Sequence, residues 1–126
     1  MSHSNQAFIV ARADTALACD TYRNISLLAT GLLIKGGPGI VYGYYISNVA
    51  AATRFVKFYN KVTAPTVGTN TPLLTICLPA SSAANVYFGP GIGFGLGIGI
   101  GATQLVADAD ATAPAANDVV VNVFYK

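Results

Sequence analysis

The sequence predicts an all-β fold: an antiparallel β-sandwich of about seven or eight strands, with the jelly roll among its topologies. Two observations carry this. Runs rich in Ile, Val, Tyr and Phe alternate in side-chain character with a period of two, and almost no stretch shows helical periodicity. Between the runs stand Gly, Pro, Asn and Ser, the residues of turns and crossover loops. Length bounds the rest: 126 residues, 53% of them hydrophobic, suffice for one core and leave little room for a second.

Residues 1–20 have mixed polarity and read as an N-terminal arm or short helix; residues 21–126 form the sandwich domain. Strands are expected at Ile25 to Ile34, Ile40 to Ser47, Thr53 to Asn60, Pro72 to Leu78, Asn85 to Phe88, Gly91 to Ile100 and Asp118 to Tyr125. Lys35-Gly36-Gly37-Pro38-Gly39 suits a tight hairpin between the first two, because glycine supplies positive φ and Pro38 blocks strand continuation. Thr63 to Thr71 and Thr103 to Asn117 read as longer loops. In the second strand Tyr42 and Tyr44 are expected on one face and Tyr45 on the other.

Every glycine from Gly89 to Gly101 has an odd number. In a strand, Ile92, Phe94, Leu96, Ile98 and Ile100 would then share a core face while the opposite face carries no side chains. Two readings stand: a contact plane against a neighbouring strand, sheet or subunit, or a curved strand at a sandwich corner where small residues relieve crowding. Arg54-Phe55-Val56-Lys57-Phe58-Tyr59-Asn60 is apolar on both faces, as a strand central in a sandwich or facing a partner would be. The candidate subunit-contact residues are therefore Gly93, Gly95, Gly97, Gly99, Phe55 and Tyr59.

Charge argues against most chemistry. Lys and Arg number seven, the acids are five Asp with no Glu, and the only His is His3. Such a chain has few proton carriers, so no catalytic set is assembled and no enzyme is expected. A net charge of +2 gives no basic excess for nucleic acid. The single-parity glycines break the G-x-G-x-x-G pattern, and no Gly-Lys-Ser/Thr follows, so no nucleotide is expected. Asp108-Ala109-Asp110 lacks the glycine and closing Glu of a calcium loop and reads as solvated acids. Cys19 and Cys77 fit no zinc spacing and read as small buried hydrophobes, with no metal or other cofactor required.

From Val62 to Ala107, and again from Gly36 to Thr53, no residue is charged. A membrane helix is excluded from the longer run by Pro65, Pro72, Pro79, Pro90 and the alternating glycines. The N-terminal residues lack a secretory pattern, so folding in a reducing cytoplasm is expected. What remains is a surface covered by copies of the chain or by another protein. Tyr42, Tyr44, Tyr45, Tyr59 and Tyr87 leave a second possibility, stacking on sugars.

The succession Ile46-Ser47-Asn48, Arg54 to Lys61, Thr63-Ala64-Pro65-Thr66, Pro72 to Ile76, a Gly-Ile-Gly-Ile strand and the closing Ala116 to Lys126 resembles small β-sandwich structural proteins of tailed bacteriophages over residues 20–126. The dense glycine strand departs from the usual pattern. The resemblance implies a non-enzymatic virion protein that folds in the host cytoplasm. It is expected to be a capsid decoration, or cement, protein that associates with itself as a trimer and with the major capsid protein or another virion protein. A tail, neck or fibre component and a carbohydrate-binding module for host recognition are the alternatives.

Overall fold

The computed structural model of the chain describes residues 18–126. Their eight strands are β1 (Asp20–Asn24), β2 (Leu32–Lys35), β3 (Gly39–Asn48), β4 (Arg54–Asn60), β5 (Leu74–Leu78), β6 (Ser82–Phe94), β7 (Ile98–Thr103) and β8 (Val119–Tyr125). No helix occurs among the described residues. Two four-stranded antiparallel sheets result, ordered β1-β8-β3-β6 and β2-β7-β4-β5. The pairs nest: β1 lies beside β8, β2 beside β7, β3 beside β6 and β4 beside β5.

Alternation along the strands explains why the sheets face one another. Val119, Val121 and Val123 of β8, with Val41, Tyr44 and Ile46 of β3, point inward from the first sheet. They meet Val56, Phe58, Ile76, Leu78, Ile98, Ile100 and Ala102 of the second. Aromatic rings cross the gap, with Phe58 centred 6.1 Å from Tyr44 and 6.3 Å from Phe94. Burying such a side chain contributes roughly 1.5–3 kcal/mol, so the alternating valines and aromatics hold the sandwich closed. At one end Asn48, 1% exposed, ties the sheets together. Its amide donates to the carbonyls of Leu78 (3.0 Å), Ala52 (2.9 Å) and Pro79 (3.2 Å), and its oxygen accepts from the Ala50 N–H. Arg54 to Asp118, at 3.2 Å, links the same end.

Several elements differ from the sequence reading. The strand expected over Ile25 to Ile34 forms only at its end, as β2; β1 precedes it in the other sheet, and Ile25 to Gly31 carry the chain across, with Leu27 buried on the way. The Gly36 to Pro38 turn is likewise a crossing, because β2 and β3 belong to opposite sheets. The glycine segment also divides. Gly91 to Phe94 close β6 in the first sheet, Ile98 opens β7 in the second, and Gly95-Leu96-Gly97 turn the corner, leaving Leu96 57% exposed instead of in the core. The runs expected at Asn85 to Phe88 and Gly91 onward join as β6 around an irregularity. Val41 pairs with Ile92 and Gly43 with Tyr87, so Phe88 to Gly91 stand opposite Tyr42 alone. Gly91 takes φ 75° there, and a side chain on Gly43 would run into the Val86 carbonyl. Against β8 it is Tyr42 that is extra, since Val41 pairs with Tyr125 and Gly43 with Phe124; the inward parity of β3 therefore shifts from Val41 to Tyr44, which separates Tyr42 from Tyr44. The arm or helix expected over residues 1–20 lies outside the described residues as far as residue 17.

Candidate interaction surfaces

The two outer faces of the sandwich differ. On the second sheet, β4 turns Phe55, Lys57 and Tyr59 outward beside Thr103, Gly101 and Gly99 of β7. The chain's own loops cover this face. Pro65 and Val67, both buried, come down from the loop after β4. A Cβ on Gly99 would lie 2.8 Å from Pro65 Cδ, and one on Gly101 2.6 Å from Val67 Cγ2. The loop after β7 meets the first loop at Gly68, where a Cβ would stand 3.0 Å from that of Ala111. Beneath lie Lys57 and Tyr59, both 0% exposed. Lys57 Nζ donates to the Ala107 carbonyl at 2.7 Å; burial pushes its pKa down, opposed by the carboxylates of Asp110 and Asp108. Tyr59 Oη is buried without a hydrogen-bond partner among the described residues, and burial, with Asp108 adding, pushes its pKa up to about 12.

This arrangement sorts the six candidate contact residues. Gly97, Gly99 and Tyr59 are buried by the chain itself, Phe55 is half-buried, and Gly93 and Gly95 are exposed, with open space where a Cβ would stand. For Gly99 and Gly101 the neighbour that needs close approach is the chain's own loop. Gly97 stands at the corner against the carbonyls of Lys61 and Lys35.

The first sheet's outer face has no such cover among the described residues. The register sets Tyr87, Gly43, Phe124 and Thr21 in one row across the four strands and Asn85, Tyr45, Asn122 and Arg23 in the next. Tyr45 is 52% and Tyr87 66% exposed, and Tyr45 meets Phe124 edge-on with centroids 5.0 Å apart. In these two rows the only charge is Arg23, on an edge strand. Tyr42 and Tyr87 also border a cleft of about 240 Å³ with Cys19 and Lys126. The sequence contained the parity of Asn85, Tyr87, Asn122 and Phe124. It did not show that β6, β3 and β8 are neighbours, which brings them onto one face.

The remaining polar groups are local. Asp110 accepts from the Thr112 hydroxyl at 2.7 Å and from the N–H groups of Leu105 and Thr112, and the hydroxyl bond leads in holding its carboxyl below the usual range. No group of three metal-ligating side chains occurs among the described residues. Cys19 and Cys77, expected to be buried, are both free and exposed. Cys77 alternates with inward Ile76 and Leu78 on an edge strand, which forces it outward. No helix among the described residues is long and apolar enough to cross a membrane. Comparison with protein-family models, curated proteins and solved structures finds no match.

Proposed function

We propose that the chain is a non-enzymatic virion structural protein, a capsid decoration or cement protein that folds in the host cytoplasm, associates with itself and stabilises contacts between capsid subunits. The observation that carries this reading is the outer face of the first sheet, where two rows across the four strands are aromatic and amide-lined with Arg23, on the edge strand, as their only charge. A flat face of this kind gains from burial against a protein surface at roughly 25 cal/mol per Å² of apolar area, before the costs of ordering. The strand order adds weight by analogy. Nested pairing of β1 with β8 through β4 with β5 reads as a jelly roll, an architecture of viral capsid proteins and also of lectins. The test is to add the purified protein to phage heads assembled without their decoration protein. Saturable co-sedimentation and a higher temperature of head disruption are expected. Failure to bind any head or other virion component overturns the proposal.

One observation favours a second reading. Exposed Tyr45 and Tyr87 stand beside Asn85 and Asn122, and an aromatic face with amide neighbours suits the apolar face and hydroxyls of a sugar. Binding to host surface polysaccharide that disappears in Tyr87→Ala, with no binding to heads, would select this reading over the first.

A further inference from the structure

At the end of the sandwich where β6 turns into β7, a cleft of about 440 Å³ opens between the sheets. Its lining is apolar and glycine-rich, with Ile40, Phe94, Gly39 and Gly93, and includes Lys35 and Lys126, whose ammonium also donates to the Ala18 carbonyl at 2.9 Å. Among the described residues that line it, none is acidic. The nearest acid by register is Asp20, opposite Tyr125 on the edge strand β1. A cleft with this lining suits a segment that presents apolar side chains followed by carboxylates.

The chain carries such a segment at its opposite end. β7 leaves the cleft end at Ile98 and finishes at Thr103 beside Phe55, where the loop Gln104 to Asp118 begins. Leu105 and Val106 stand 58% and 60% exposed on it, and Asp108 and Asp110 follow. Asp108 is exposed and accepts no hydrogen bond among the described residues, so its carboxylate is available. Lys57 on the Ala107 carbonyl fixes the loop just beyond the apolar pair. We propose that the Leu105 to Asp110 loop of one copy docks in the lysine-lined cleft of a second copy. Cleft and loop are different patches, so the contact is heterologous, the kind that closes into a ring such as a trimer or runs on as a filament. The inference rests on the reading that copies of this chain associate, and it adds a second contact to the one through the first sheet's outer face.

The experiment uses two charge reversals, Lys35→Glu and Asp108→Lys, in the full chain, with an unchanged circular-dichroism spectrum and a single cooperative unfolding transition as the check of folding. Wild-type self-association should weaken as salt rises, and each variant alone should lose at least about tenfold in affinity for itself. Labelled Lys35→Glu should nevertheless bind unlabelled Asp108→Lys, because the acidic loop of the first meets the intact lysine cleft of the second, and in the other direction positions 108 and 35 again carry opposite charges. If either variant fails to fold, Leu105→Ser, which removes the apolar half of the loop, should weaken association in the same assay. Variants that associate like wild type, or that fail to bind one another, overturn the cleft contact while leaving association through the first sheet's face intact. Variants that complement each other while wild type ignores phage heads sustain this contact and sink the capsid reading instead.

Discussion

Adding a methyl group to successive glycines from Gly93 to Gly101 tests the corner-and-cover arrangement, because the surroundings assign each a different sign. A Cβ on Gly93 or Gly95 meets open space. Alanine there should stabilise the folded chain by about 0.5–1 kcal/mol through the lower entropy of the unfolded state. At Gly99 the new atom would lie 2.8–2.9 Å from the Pro65 ring, and at Gly101 2.6 Å from Val67. Both neighbours belong to a loop that can shift, so after the entropy gain is subtracted a net loss of about 1–2 kcal/mol follows from overpacking. At Gly97 the obstacles are backbone carbonyls of Lys61 and Lys35, which cannot move without disturbing the ends of β2 and β4. There the loss should reach about 3 kcal/mol. In a domain of this size each kcal/mol shifts the melting temperature by roughly 3–5 °C, so a thermal scan of five variants resolves the order. Phe94→Ala, at 1% exposure, sets the scale of a full core loss, about 3–5 kcal/mol. A flat profile, or a loss at Gly93 larger than at Gly97, would refute the arrangement.

Three further outcomes follow from individual side chains. Tyr59→Phe removes a buried hydroxyl without a partner and should stabilise the fold by about 1 kcal/mol at neutral pH. Because the folded pKa of Tyr59 is raised, to about 12, its contribution is complete below pH 10 and is lost as pH climbs to 12, a loss of about 2–3 kcal/mol that Tyr59→Phe should not show. Lys57, with its pKa lowered, shifts stability the opposite way at alkaline pH, but equally in both proteins, so the difference between their urea midpoints isolates Tyr59. Asn48→Ala strands the carbonyls of Leu78, Ala52 and Pro79 and should cost about 2–4 kcal/mol in chemical denaturation, while a loss below half a kcal/mol would contradict the tie. Cys19 and Cys77 should both react with a thiol reagent in the native protein, and a thiol that reacts only after unfolding would show that its strand is packed differently.

The sequence made the strands legible wherever alternation was clean and bounded. Val119 to Tyr125 and Arg54 to Asn60 stand almost where the period of two puts them. The loops around Pro65 and Asp108 are also in place, because proline, glycine and small polar residues mark them. Alternation failed at Gly95-Leu96-Gly97, since a turn that keeps odd glycines and even apolar residues has the same pattern as a strand. The irregularity opposite Tyr42 was equally hidden. It arises from how many residues β6 and β3 bring to the same stretch of ladder, a property of pairing that neither strand contains alone. The same non-locality explains the surfaces. Two apolar faces on β4 left open whether its outer side meets a partner, and only the fold shows the chain's own loops lying on Lys57 and Tyr59. The row of Tyr87, Gly43 and Phe124 draws on three strands far apart in sequence.

Whether this chain works by associating through uncharged surface is read from its mass in solution, by sedimentation at micromolar concentration. An oligomer is expected, with a trimer of about 39 kDa, three times 13.0 kDa, as the main species. Tyr45→Asp combined with Tyr87→Asp should shift the population toward single chains that still unfold in one cooperative transition. A wild-type protein that sediments only as a 13.0 kDa monomer across that range would contradict such association.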